Sequence, residues 1–410
     1  MTEDLQLVPH APPYLLIEER ENAFVLVDSR DNGVTYLNRS STLVWCLCDG
    51  ENSVQQIISI IRQQHPDSDQ VELDVLTAIS EFIGSGLLQI AGHDGIPARL
   101  EYRIEDCKRE LQQRELEAAG IVPTPVSEGS KMRRLTVAMA TYDDYDGTYF
   151  TIQAIRLFHP EALDDIEFVI LDNNPLGAGG EQLRTFADTV PNLRYVPEVI
   201  TVGTAVRGRL FELANTPYVI CLDCHVMLVP GALARLLGYL EQNPESIDLL
   251  QGPLLNDRLD KCLTHMDPVW RDGMYGTWGN DRRGDDVDDD PFEITMQGLG
   301  LFACRKAAWP AFNDRFRGFG GEEGYIHGKF RAAGGRTICL PYLRWIHRFG
   351  RPGGVPYPIR WEDRILNYFA GFNELGWDTE PVKAHFAEKL DPETVARCEA
   401  TYRELYNETP

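Results

Sequence analysis

Two short stretches carry residue types that can do chemistry. The first is Asp223-Cys224-His225. A carboxylate and an imidazole two positions apart on a strand project from the same side. Together they can hold one divalent cation, and a cation held there can neutralise a diphosphate. The second is Gly320-Gly321-Glu322-Glu323. Glycines let the backbone approach a ligand closely. One of the two carboxylates could accept a proton from an acceptor hydroxyl or thiol as general base. The competing roles are a hydrogen bond to the ligand, or complementing the dipole of a helix expected at 324–332.

The elements that must position these groups follow from patterning. Residues 218–222 form an apolar run that Asp223 closes, and Pro230-Gly231 lie beyond it. A short apolar run so bounded reads as a buried strand. Further strands are expected at 135–141, 166–171 and 193–196, with helices at 149–158, 181–189 and 207–215. Strands alternating with helices predict a parallel, doubly wound sheet. Ligands of such sheets sit at the carboxyl ends of the strands. Thr141, Asp172 and Asp223 all stand at such ends. No GxxxxGK[ST] loop and no GxGxxG after the first strand is present, so neither a P-loop nor a dinucleotide fold is indicated. Cys221 and Cys224 make one CxxC, but a paired zinc site needs a second. A redox pair normally opens a helix. Both cysteines read as packing residues.

The chain of 410 residues is long enough for two or three domains. Its net charge of −24 argues against sequence-independent binding to nucleic acid and against docking on anionic lipid. No uninterrupted apolar stretch reaches membrane-spanning length. The acidic start, Met1-Thr2-Glu3-Asp4, lacks the layout of a secretion signal. Nine scattered cysteines fit reduced thiols. A cytoplasmic protein is expected.

The first part of the chain has a different grammar. Residues 24–27 and 34–37 are short β-rich runs around the turn chemistry of 28–33, which predicts a hairpin. Helices are expected at 40–48, after Asp49-Gly50 with Val54, Ile57, Ile58 and Ile61 on one face, and at about 73–85. Residues 87–90 could return to the sheet. Val34-Thr35-Tyr36-Leu37-Asn38, Val44-Trp45, Leu47-Cys48-Asp49-Gly50 and the closing Gly86-Leu87-Leu88 resemble the PqqD-like peptide-recognition domain, the RiPP recognition element. The resemblance covers nearly all of residues 12–90. It implies that a precursor peptide's leader adds as an extra strand on the hairpin. The bland alternative is a small winged-helix-like fold with no peptide ligand. Residues 1–95 hold four basic and fifteen acidic residues, a net of −11, which favours a leader with basic residues.

The later part has its own resemblance, covering residues 134 to about 350. Asp223-Cys224-His225, then Gly298-Leu299-Gly300-Leu301-Phe302-Ala303, then Phe319-Gly320-Gly321-Glu322-Glu323, then Ile346-His347-Arg348-Phe349 occur in the order found in GT-A glycosyltransferases. The pattern resembles family 2 and its polypeptide N-acetylgalactosaminyltransferase-like relatives, with Phe319 where those have Trp. The resemblance implies Asp223, His225 and His347 as ligands of Mn2+ or Mg2+. It implies a nucleotide-sugar donor, UDP above all. It places Thr141, Asp143 or Asp144, and Asp172 on the nucleotide, and Glu322 and Glu323 at the reaction. Arg209 would steady the nucleotide or a phosphate, or simply pair with Glu212.

The expected architecture is α/β. A GT-A doubly wound, mostly parallel sheet at 133–355 is preceded by a small winged-helix-like α+β domain (hairpin plus three helices) at 1–95. A helical and Pro/Ser linker spans 96–132, and a helical extension spans 356–410. The expected activity is metal-dependent transfer of a sugar to a side chain of a ribosomally made precursor peptide. A nucleotidyltransferase, or a peptide-binding scaffold with a degenerate transferase half, remain open alternatives. The Asp-rich segment 281–290 reads as a solvated loop or a lid. Trp270, Tyr275 and Trp278 could stack on a sugar or pack the core.

Overall fold

The computed structural model describes residues 5–20, 23–125, 133–351 and 353–406. The chain divides into two compact units, one reaching to Ala118 and the other running from Ala119 to Arg403.

In the first unit, β1 (Pro9–His10), β2 (Leu15–Arg20), β3 (Ala23–Asp28) and β4 (Val34–Leu37) precede α1 (Arg39–Leu47), α2 (Val54–Gln64), α3 (Val71–Gly84), β5 (Gln89–Ile90) and α4 (Ala98–Ala118). The expected hairpin is β3–β4. A third strand, β2, pairs with the other side of β3. It was not expected: after Leu15-Leu16-Ile17 the run turns to Glu-Glu-Arg, so its apolar signal is short. Residues 89–90 do not join this sheet, because they pair with β1 instead. Val54, Ile57, Ile58 and Ile61 recur at helical spacing and enter a core with Val75, Leu76 and Ile79. The helix at 98–118 adds Leu100, Ile104 and Cys107 to that same core.

The start of α2 has a local cause. At α2 the Ser53 side chain accepts from Gln56 N at 3.3 Å while Gln56 Oε1 accepts from Ser53 N at 2.7 Å. This reciprocal cap satisfies two otherwise orphaned donors. Ser53→Ala is expected to lower the first unit's unfolding free energy by about 1 kcal/mol, read as a shift in denaturation midpoint.

The second unit opens with β6 (Leu135–Thr141), α5 (Tyr145–Phe158), β7 (Ile166–Asp172), α6 (Gly180–Thr189), β8 (Leu193–Pro197), α7 (Val206–Leu213), β9 (Tyr218–Asp223), β10 (Val226–Leu228) and α8 (Ala232–Gln242). Then come β11 (Leu249–Gln251), β12 (Leu254–Leu255), β13 (Cys262–Leu263), β14 (His265–Arg271), β15 (Met274–Gly279), β16 (Phe292–Glu293) and β17 (Leu301–Arg305). The chain closes with α9 (Tyr325–Ala332), β18 (Thr337–Cys339), β19 (Trp345–His347), α10 (Trp361–Glu374), α11 (Glu380–Lys389) and α12 (Pro392–Tyr406).

The main sheet has the order β16-β18-β11-β17-β9-β6-β7-β8. Strands β9, β6, β7 and β8 run parallel, and β17 runs antiparallel beside β9. This is the expected mostly parallel, doubly wound architecture. Val137, Met139, Ile170, Ile220 and Leu222 fill the core beneath it. Register then gathers the strand ends: Thr141 lies opposite Asp172, and Asp223 lies opposite Ala140. A second, four-stranded sheet of order β10-β19-β12-β13 stands beside these ends.

Candidate active site

Strand β9 ends at Asp223, and the chain turns through Cys224 and His225 before β10. Strand alternation is therefore not what puts the carboxylate and the imidazole together. Strand β19 does that. Val226 pairs with His347, and Arg348 N donates to the carbonyl of His225 at 3.2 Å. His347 Nε2 lies 3.2 Å from Asp223 Oδ2 and 3.1 Å from His225 Nε2. The ligand atoms of Asp223, His225 and His347 all fall within 4.8 Å of one another.

The donor chemistry of this cluster suits a divalent ion. Two imidazole Nε2 atoms face each other across 3.1 Å, beside a carboxylate. Burial pushes His225 down, against the pull of Asp144, which favours the neutral ring that can act as a ligand. His225 Nδ1 is bonded to Asp144 Oδ2 at 2.8 Å, which aims Nε2 into the cluster. One oxygen and two nitrogens form a set that first-row ions such as Mn2+ accept. A second triple, Asp144-Cys224-His225, is a weaker candidate. Burial pushes the Cys224 thiol up to about 12, and a thiol that keeps its proton is a poor ligand. Cys221 is raised alike, to about 12.

The remaining expected residues divide by position. Thr141, Asp143, Asp144, Asp172 and Asn174 line one shallow cleft. Asp172 is buried, and burial raises its pKa. Its two oxygens accept from Tyr195 Oη at 2.8 Å and Asn174 N at 3.0 Å. Asp143 is exposed and accepts from Asn174 Nδ2 at 2.6 Å. Asp144 is buried and already committed. It caps α5 through Gly147 N, takes two bonds from Arg348 at 2.7 and 2.9 Å, and holds His225. Both aspartates offered as alternatives line the cleft, and Asp144 also orients the imidazole. Arg351 Nη2 stands 3.0 Å from His225 Nε2, where it can donate to the ring, and with Arg348 and Arg207 three guanidinium groups border the cluster.

Arg209 pairs with Glu198 at 2.8 Å and Glu212 at 2.7 Å. Sequence reasoning missed Arg207, which reaches the cluster. Its Nη2 donates to Asp223 Oδ1 at 3.1 Å and its Nη1 to Glu322 Oε1 at 3.4 Å. Two positions on a helix turn by about 200°. The two arginines thus face different ways, and an apolar pattern of Val206, Leu210 and Leu213 flanking both gave the only available signal.

Glu322 is 3% exposed and also accepts from Thr204 Oγ1 at 3.0 Å. Glu323 lies 3.4 Å from Tyr368 Oη. Burial, then the charge of Glu322, raises the Glu323 carboxyl above the ordinary carboxylate range. Helix α9 begins at Tyr325 with Gly324 as its cap, so both carboxylates precede the helix. Phe319 lies 5.3 Å from the Tyr357 ring. Trp270 packs among Tyr275, Tyr368 and His385 rather than at an open face. Asp288 of the Asp-rich segment is exposed and pairs with Arg235 at 2.9 Å.

Comparisons with known proteins agree with both resemblances. Residues 23–88 match the family described as Coenzyme PQQ synthesis protein D (PqqD). Residues 136–302 match Glycosyl transferase family 2. The first match lies within the first unit and the second within the second. No curated protein matches it. Among solved structures it is similar to GalNAc-T7 with UDP, GalNAc and Mn2+, at 15% identity and a TM-score of 0.49, over 68% of this chain. The match spans 55% of the GalNAc-T7 chain, little more than half its length. It is also similar to the mannosyltransferase PcManGT from Pyrobaculum calidifontis in complex with GDP-Man and Mn2+. There the identity is 15% and the TM-score 0.42, over 72% of this chain and 83% of that one. Among the described residues, no helix is long and apolar enough to cross a membrane.

Proposed function

We propose that this chain is a metal-dependent glycosyltransferase that moves a sugar from a nucleotide donor, UDP by preference, to a side chain of a ribosomally made precursor peptide. The observation that carries the reading is the meeting of Asp223, His225 and His347 at the carboxyl end of β9, the first two inside the stretch that matches family 2 and His347 well past its end at residue 302. When bound there, Mn2+ or Mg2+ supplies Lewis-acid stabilisation of the departing diphosphate. Arg348 and Arg351 add positive charge at the same place. Thr141, Asp143 and Asp172 hold the nucleoside in the cleft. The acceptor atom bonds to the anomeric carbon as that carbon's bond to diphosphate oxygen breaks, and the acceptor's proton passes to Glu323. Glu323 takes that proton in its ionised form, and because burial raises the carboxyl to about 8 this form grows as pH rises. Glu322, bonded to Thr204 and Arg207, holds the loop that presents Glu323.

The first unit captures the leader. Strand β2 covers one side of β3, so the hairpin's open edge is that of β4, whose Tyr36 is 72% exposed. A leader strand added there gains backbone hydrogen bonds and meets an acidic surface. Incubation with Mn2+, a panel of nucleotide sugars and a leader-bearing precursor peptide, read by product mass, tests the activity. A mass unchanged with every donor overturns it. A chain beginning at Ala119 is expected to keep its metal-dependent donor hydrolysis. It should lose about 10²-fold in kcat/KM on leader-bearing peptide, because tethering no longer raises the local acceptor concentration. Equal kcat/KM for the full and shortened chains removes the leader role.

A further inference from the structure

The loop that carries Glu322 and Glu323 does not hold its own shape. Gly318, Gly320 and Gly321 have φ of 57°, 100° and 91°, the left-handed side of the map. Successive glycines there leave the chain with few local restraints. Thr204 and Asn367, both from elsewhere in the chain, bond directly to the loop's backbone. Thr204 grips one side, with its N donating to Gly318 O at 2.8 Å and its Oγ1 accepting from Gly320 N at 2.9 Å. Asn367, on α10, grips the other. Its Nδ2 donates to Arg317 O at 2.7 Å and to Gly320 O at 2.8 Å, and its Oδ1 accepts from Arg317 N at 2.8 Å.

We infer that Asn367 is a positioning residue for the transfer step, acting through this loop on Glu322 and Glu323. It is fully buried, and three of its four bonding capacities are spent on backbone atoms of residues 317–320. Only a side chain with two donors and an acceptor on one short stem makes this set. An aspartate of the same shape lacks both donors and would set a carboxylate against two carbonyl oxygens. The loop packs directly on the same residue: a Cβ at Gly321 would lie 2.7 Å from Asn367 Cβ. Helix α10 is therefore part of the reaction apparatus, although no side chain of it is one of the cluster's metal ligands.

This inference rests on the glycosyl-transfer reading above. The test compares wild type, Asn367→Asp and Gly321→Ala as full-length chains. Three quantities are read: folded fraction by thermal unfolding, affinity for UDP with Mn2+, and kcat per folded molecule with the donor and peptide that the panel identifies. Misplacing a reacting group by 1 Å can cost about 10²-fold. Both variants are expected to bind UDP and Mn2+ within a few-fold of wild type and to lose about 10²-fold in kcat. That split between binding and turnover is what a purely structural role does not produce. Loss of transfer that simply tracks loss of folded protein in both variants overturns the inference. So does equal kcat per folded molecule in a wild type that transfers sugar. A wild type that transfers no sugar at all fails the glycosyl-transfer reading itself, a distinct result.

Discussion

Asp223→Ala is expected to lower metal-dependent turnover by about 10³-fold while the second unit stays folded. Asp223 is the one anionic member of the three side chains proposed to hold the metal. A Lewis acid at a diphosphate is worth several kcal/mol of transition-state charge, and about 4 kcal/mol corresponds to three decades in rate. The fold survives because the cation beside Asp223 is not orphaned: Arg207 keeps Glu322. Calorimetry with UDP in the presence and absence of Mn2+ checks the claim. If the variant keeps wild-type, metal-dependent UDP affinity, the cluster is not the metal site. A pH signature accompanies this. Burial pushes the Asp223 carboxyl up, but the charge of Arg207 and the hydrogen bond to His347 outweigh it and hold the group below the ordinary carboxylate range. A depressed carboxyl contributes stability that is present above its unfolded value and lost as pH falls through its folded one. Acidification should therefore narrow the stability difference between wild type and variant. Denaturant midpoints at neutral and strongly acidic pH measure this.

Much of this arrangement was legible beforehand, and the limits have physical causes. The parallel strands were readable because each is a nearly unbroken apolar run that the sheet buries on both faces, as at Leu135–Thr141. Their carboxyl ends followed from the topology, so Thr141, Asp172 and Asp223 could be named together. The reason given for Asp223 and His225 was incomplete. The chain leaves the strand at Cys224, and it is the long-range pairing of β10 with β19 that draws His347 in. Pairings across more than a hundred residues leave no local periodicity. The same limit hid Asn367, whose partners lie some fifty positions away on a glycine loop. It hid Arg207 too, since a helix pattern shows which face is apolar but not which exposed arginine finds a carboxylate. Strand β2 was missed because Glu18-Glu19-Arg20 is exposed and carries no alternation.

Arg207→Leu is expected to destabilise the second unit by about 3–5 kcal/mol at neutral pH without metal, the usual consequence of removing one partner from a buried ion pair. The guanidinium side chain is 11% exposed and spans two carboxylates, Asp223 at 29% and Glu322 at 3%. Leucine fills the volume but leaves both negative charges facing one another. Lysine offers a single point charge in place of a fork, so Arg207→Lys should recover only part of the loss. Added Mn2+ separates two accounts of this residue. Arg207 occupies Asp223 Oδ1, so in wild type it both orders the carboxylate and competes with an incoming cation. Removing it makes the cluster more negative. A ligand that binds only the folded state stabilises in proportion to its affinity. Mn2+ should then raise the unfolding midpoint of Arg207→Leu more than that of wild type. If Mn2+ raises both equally, the ion does not meet Asp223. If Arg207→Leu unfolds at the wild-type midpoint without metal, another group carries the charge balance of the carboxylate pair.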